Sequence, residues 1–164
     1  MRETNYLKSN EKVLRILREI DKFSPFSSED ILSFLDLGKL LEYGQDEEII
    51  TAGDQANYLF FLIAGEVGIM EGDKAVKTLR RTGELFGEMS IIDGSPRSAS
   101  VRALSKTLAL RLDCSVMGYV EGDKELALGY TVYRLFCEVL AERLRVTTEE
   151  NIALKLELAE QTSV

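Results

Sequence analysis

The chain contains no histidine and no tryptophan, and only two cysteines and two prolines among its 164 residues. Without imidazole it lacks the side chain that most often acts as a general base near neutral pH, and the commonest nitrogen ligand for metals. Histidine-based hydrolytic triads and histidine-held metal sites are therefore excluded, and neither catalytic residues, a metal nor a cofactor is expected. The two thiols, Cys114 and Cys137, lie among apolar neighbours in helix-like sequence and are expected to be buried and reduced. Positive charge is also scarce, with 20 Lys and Arg against 28 Asp and Glu and a net charge of −8. Such a chain is a poor partner for nucleic acid, because holding a phosphate backbone requires clustered cations. No apolar run approaches the ~18 residues of a membrane span. The start, Met1-Arg2-Glu3-Thr4-Asn5, lacks the apolar stretch of a secretory signal. A soluble, cytoplasmic protein that does not engage a membrane is expected.

The length suits one core of ordinary size with a helical appendage. Residues 1–23 read as an N-terminal helical extension, since Val13, Ile16, Leu17 and Ile20 follow the spacing of one apolar helix face. A second helix is expected to begin at Ser27, where Ser27-Ser28-Glu29-Asp30 resembles a capping box and Phe26 can staple against Ile31. From Leu40 to Leu112 short apolar runs are broken by turns containing Gly44, Gly53, Gly65, Gly72, Gly83 and Gly94. Strands are expected at 40–43, 48–51, 59–63, 66–70, 76–80, 98–104 and 107–112. The period of two puts Ala99, Val101 and Ala103 on one face and Leu108, Leu110 and Leu112 on another, both directed at a common core. The predicted class is α+β: an antiparallel jelly-roll β-barrel spanning residues 24–122 with short flanking helices, followed by a long C-terminal helix over residues 123–164.

That helix carries a second signal. After a short helical segment through Val120, a run from Lys124 to Glu160 contains no proline. Tyr133, Cys137, Leu140, Leu144, Thr147, Asn151, Leu154, Leu158 and Gln161 alternate spacings of four and three, the seam of a two-stranded coiled coil. Packing on the barrel accounts for Tyr133 to Leu140, but little barrel sequence is left to cover Leu154 and Leu158. A homodimer through this helix is expected.

Chemistry concentrates between Phe86 and Val101. Gly87 opens a short helical turn whose free amides can meet an anion where no Cβ intervenes. Glu88 follows directly, a carboxylate suited to accepting hydrogen bonds from vicinal hydroxyls. Arg97, after Pro96 at the entry to a strand, offers a planar fork of donors for phosphate oxygens, and Ser98 adds a hydroxyl. Amides, arginine and glutamate together describe a site for a sugar phosphate.

Phe86-Gly87-Glu88, Pro96-Arg97-Ser98-Ala99 and Val101 resemble the phosphate-binding cassette of the cyclic-nucleotide-binding domain family. Gly53-Asp54, Tyr58-Leu59-Phe60-Phe61-Leu62-Ile63 and Gly65 resemble the same family's barrel. The resemblance covers about Phe23 to Leu158 and implies a cyclic-nucleotide-binding regulatory protein, not an enzyme. It implies that Glu88 binds the ribose 2′-hydroxyl, that Arg97 and Ser98 bind the cyclic phosphate, and that the stretch through Gly87, Met89, Ser90 and Ala99 completes the cradle. Gly83-Glu84 replaces the family's usual Gly-Asp before the cassette.

Arg143-Leu144-Arg145-Val146-Thr147-Thr148-Glu149 further resembles the central helix of bacterial catabolite-activator proteins. By that likeness Arg143 supports Glu88, Thr147 meets the base in its own subunit and Thr148 the base held by the partner. Cyclic AMP is the ligand the branch implies, although hydroxyls donate or accept and so also suit cyclic GMP. No helix-turn-helix follows in this sequence, so output through an effector protein rather than through DNA is expected.

Overall fold

The computed structural model describes residues 2–3, 11–20, 23–24, 26–36, 38–115 and 123–162. In chain order the elements are β1 (Arg2–Glu3), α1 (Glu11–Glu19), α2 (Ser28–Asp36), β2 (Gly38–Tyr43), β3 (Glu48–Ile50), β4 (Tyr58–Ala64), β5 (Val67–Glu71) and β6 (Lys74–Leu79). They continue with β7 (Leu85–Phe86), α3 (Met89–Asp93), β8 (Ser100–Ala103), β9 (Thr107–Asp113) and α4 (Asp123–Thr162). One sheet has the order β1-β2-β9-β4-β7 and the other β3-β8-β5-β6, with antiparallel pairing throughout. The expected jelly roll is present as two facing sheets rather than a closed barrel. Edge strands of two residues, β1 and β7, are too short to carry a ladder from one sheet to the other.

The strand β4 organises the interior because its sequence, Tyr58-Leu59-Phe60-Phe61-Leu62-Ile63-Ala64, is apolar on both faces. Successive side chains point to opposite sides of a sheet, so such a strand is stable only between two apolar layers. Phe60 and Leu62 face the second sheet, together with Leu41, Val67, Leu79, Phe86, Val101, Ala103 and Ala109. Leu59, Phe61 and Ile63 face the helices, together with Leu40, Leu85, Leu110 and Leu112. The single common core expected for the strand faces of Val101 and Leu110 is therefore two cores. The period of two separates inner from outer residues within a strand but does not show which layer covers each face.

Helices close the second core. The expected stripe on α1 packs there, with Val13 and Leu17 buried and Ile16 and Ile20 at its margin. The extension is not helical throughout, however: Arg2–Glu3 pair with Glu42 and Leu41 as an added edge strand, since the outer edge of β2 presents backbone groups that need partners. At the start of α2 the Ser27 amide and hydroxyl donate to Asp30 Oδ2, at 2.9 and 2.7 Å, while the Asp30 amide donates to Ser27 Oγ at 3.2 Å. This is the reciprocal box expected from the sequence, and these bonds lower the Asp30 pKa from its ordinary value. The short helix expected through Val120 lies outside the described residues.

With 40 residues, α4 is ~60 Å long. Its buried stripe is Leu135, Phe136 and Val139, which joins the helix-facing core beside α2 and lies one flank away from the residues expected to cover the barrel. Tyr133 is 60% exposed, and Cys137, expected to be buried, is exposed. Phe136 and Val139 occupy the side of the helix that enters the core, and at 100° per residue Cys137 is carried away from it. Leu144, Leu154 and Leu158 of the heptad seam are exposed as well.

Leu110 sits at the centre of the helix-facing core and is fully buried. Leu110→Ala is expected to lower unfolding stability by ~2–5 kcal/mol with an unchanged denaturant slope, measured by urea titration. A shift under 1 kcal/mol would contradict this placement.

Candidate functional site

The cassette is built around a buried cation. Arg97 is only 6% exposed, in the segment between α3 and β8. Its Nη1 donates to the Gly87 carbonyl and, at 2.7 Å, to Ser90 Oγ, and its Nη2 donates to the Tyr58 carbonyl. Its main chain is held by the turn before β4: the Arg97 amide donates to Asp54 O at 2.9 Å and the Gly53 amide to Arg97 O at 2.8 Å. Removal from water lowers the Arg97 pKa, with neighbouring Cys114, Glu88 and Asp54 opposing that shift. Of the five guanidinium N–H groups three are engaged within the protein, so Nε–H and one Nη2–H can serve an anion.

Only glycine suits position 87. Its φ is +80°, and a Cβ there would stand 2.9 Å from Arg97 Nη1 and 3.0 Å from Ile50 Cδ1. The absent side chain lets the backbone turn into α3 while the arginine lies against it. The first intrahelical bonds of α3 are made by Ile91 and Ile92 to the Glu88 carbonyl, so the amides of Glu88, Met89 and Ser90 precede them.

Glu88 is 2% exposed, and its Oε1 accepts from Arg143 Nη1 of α4, whose Nη2 donates to the Leu85 carbonyl. One carboxylate oxygen is thus committed to the helix, leaving Oε2 for a donor from the cavity that Glu88 lines. That cavity, about 190 Å³, gathers Gly87, Glu88, Met89, Ser90, Arg97, Ser98, Ala99 and Arg143 from the sequence expectations. Ser90 contributes its hydroxyl to Arg97 in addition to any role of its amide, and Ser98 Oγ lies 3.9 Å from Met89 Sδ. Thr147 and Thr148 are not brought to this wall: both are exposed on α4, beyond Arg143.

Sequence reasoning missed several parts. Ile50, Ile69, Phe86 and Val101 form the apolar wall, with Lys77 beside them. The Tyr58 and Leu85 carbonyls anchor the two arginines. Backbone acceptors leave no trace in residue identity, whereas Lys77 could have been found from the alternation of β6. Glu84, the departure from the family's Gly-Asp, accepts from the Arg80 and Arg81 amides at 2.7 Å each and so caps its own turn.

The family model for the cyclic nucleotide-binding domain matches residues 40–117. The chain is 28% identical over 102 residues to a cAMP-dependent protein kinase regulatory subunit of Mycosarcoma maydis, covering 60% of this chain and 19% of that protein. It is 33% identical over 97 residues to a cGMP-dependent protein kinase of Eimeria tenella, covering 59% of this chain and 10% of that protein. The chain therefore spans only a small part of the curated relatives it matches. Among solved structures, a cyclic nucleotide-binding domain from Methylobacillus flagellatus KT superposes with a TM-score of 0.73 at 26% identity, covering 90% of this chain and 84% of that one. The Thermus thermophilus catabolite activator protein superposes with a TM-score of 0.60 at 26% identity, covering 82% of this chain and 62% of that one.

Behind the cradle lies Cys114, buried at the end of β9 with its pKa pushed up to about 12, first by desolvation and then by Asp113. A thiol that stays protonated and enclosed does not attack reagents. At pH 8 a thiol-specific reagent is expected to modify Cys137 within minutes and Cys114 only after urea is added. Two equally fast equivalents in native protein would contradict this.

Proposed function

The chain belongs, over residues 40–117, to the cyclic nucleotide-binding domain family, and on that premise we propose that it is a non-catalytic regulatory module that holds a 3′,5′-cyclic purine nucleotide in the Arg97–Glu88 cavity. The observation that carries this reading is the pairing of one buried guanidinium, with two N–H groups unspent, and one buried carboxylate, with one oxygen unspent, on a single wall. A cyclic phosphate carries one negative charge and acceptor oxygens for Arg97, Ser98 and the amides after Gly87. The adjacent ribose hydroxyl is a donor for Glu88 Oε2. The likeness to catabolite activators implies cyclic AMP. Thr147 and Thr148 are exposed on α4, where a second copy of the chain paired along that helix would bring a base to Thr148.

The same site supplies a route to regulation. Arg143 ties α4 to the carboxylate that would receive the ribose, so ligand occupancy and the seating of α4 share one group. A ligand shifts a conformational equilibrium only by its differential affinity for the two states, and this shared carboxylate is where such a difference would arise. The exposed seam through Leu144, Leu154 and Leu158 is proposed to pair with a second copy of the chain, and the signal to pass to an effector protein in the cytoplasm.

Charge-assisted hydrogen bonds contribute ~1.5–3 kcal/mol each, so losing the two phosphate contacts should weaken binding on the order of 100-fold or more. Titration calorimetry of Arg97→Ala is expected to show that loss and Glu88→Gln, whose contact is to the ribose hydroxyl, a smaller one, each variant being checked for folding by thermal melting. Folded variants with unaltered affinity, or a wild-type chain that gives a flat titration with both cyclic AMP and cyclic GMP, would overturn the assignment and leave a ligand-free scaffold.

Pairing through α4 is tested separately by light scattering. The wild-type chain is expected at twice the monomer mass and Leu154→Glu at the monomer mass. A wild-type chain that stays monomeric across a concentration series would reject the dimer.

A further inference from the structure

Beyond Arg143 the helix α4 carries more apolar surface than one partner can cover. Leu144 and Leu154 of the heptad seam are 69% and 59% exposed, but Ile152 and Leu156 are 54% and 62% exposed as well. At 100° per residue, Ile152 and Leu156 lie about 140° round the helix from that seam. With Leu144 at position a, the seam continues through Thr147 and Leu154 at d and Asn151 at a, which puts Ile152 at b and Leu156 at f. These are positions that a two-stranded coil turns to solvent. A helix that is apolar on both flanks is one that is covered on both.

Charge separates the two flanks. Between Val146 and Ala159 the helix has one cation, Lys155, against Glu149, Glu150 and Glu157. Glu150 and Lys155 fall at g and e, the pair of positions through which a parallel coil joins one helix to the next, so pairing along the seam consumes that cation. Arg145, at b, is held by Glu142 at 2.5 Å. What remains on the outer flank is Ile152 and Leu156, Ala153 beside them with little bulk to block close approach, Glu149 at f and Glu157 at the border. A further copy of the chain laid there in parallel would bring Glu149 against Glu149 and Glu157 against Glu157, with no cation left to balance them. Like charges so placed repel, and the occupant that complements this flank is basic.

We propose that the Ile152–Leu156 flank of α4 is a docking surface for a basic amphipathic helix of a partner protein. This rests on the proposed pairing of two copies through the seam, which leaves the flank as the outer face of each helix. The partner lays an apolar stripe at helical spacing on Ile152, Ala153 and Leu156, and Lys or Arg at the border of that stripe meets Glu149 and Glu157. The surface lies on the same helix that Arg143 ties to Glu88, so the element that shares a carboxylate with the ligand also carries the partner.

The test uses a labelled synthetic peptide with leucines at helical spacing and lysines elsewhere, and a counterpart with glutamates in place of the lysines. Fluorescence anisotropy with the full chain is expected to show saturable binding of the lysine peptide and none of the glutamate peptide. Ile152→Glu combined with Leu156→Glu should weaken the lysine peptide at least about tenfold even though it adds negative charge, while Leu154→Glu on the seam keeps the wild-type affinity. The double variant is expected to keep the wild-type mass by light scattering and the wild-type helix content by circular dichroism. Wild type that does not bind the lysine peptide, binding that the double variant keeps or strengthens, or an equal loss in Leu154→Glu overturns the proposal. A wild-type mass of four chains that falls to two in the double variant overturns it in favour of a further copy on the flank. If wild type is monomeric and the peptide results hold, the pairing through the seam falls and the docking surface stands.

Discussion

Arg97, buried against a glycine that has no side chain to displace it, fixes the geometry on which the rest of the site depends. A guanidinium removed from water is costly unless its donors are satisfied, and here the Gly87 carbonyl, the Ser90 hydroxyl and the Tyr58 carbonyl satisfy three of them. Those acceptors come from the β7–α3 link, α3 and β4, so one side chain joins the segment around α3 to a strand some thirty residues earlier. The same residue pins the turn at Gly53 and Asp54 through its main chain. The cradle's donors are held in place by contacts within the chain itself, and donors so organised spare a ligand the cost of ordering them.

The second consequence concerns α4. Its docked part, with Leu135, Phe136 and Val139 in the helix-facing core, ends with Arg143, and the apolar residues Leu144, Ile152, Leu154 and Leu156 that follow are exposed. A helix divided in this way has one half held by burial and one half available to a partner. The hinge between the halves is an ion pair with the buried Glu88, so the polar group nearest the cavity also marks where docking stops. Breaking one partner of a buried pair leaves the other charge uncompensated. For that reason the position of α4 and the contents of the cavity are energetically linked.

Much of this was readable in the residues themselves. All seven anticipated strands lie within two residues of their expected limits at both ends, because alternation and glycine-bearing turns are local signals. The strand after the cassette starts at Ser100 rather than Ser98, since the Arg97 main chain pairs with the turn at Gly53 and Asp54 and not with the ladder. The two-residue strands β1 and β7 were invisible, as nothing within two residues can establish a period. Cys137 was misjudged for a related reason: its apolar neighbours define a helix, but the buried side of that helix depends on the elements packed against it.

Taken alone, the sequence determined which residue types could supply chemistry, which stretches were strand or helix, and that a glycine, an acid and an arginine would act in one segment. Those properties follow from local backbone preference and side-chain inventory. Only the tertiary structure decided that β4 is covered on both faces, and that Arg143 reaches Glu88 while Thr147 and Thr148 face solvent. Each of these joins positions distant along the chain. Such contacts are set by sheet register and helix rotation, which arise from packing of the whole molecule and from no single segment of it.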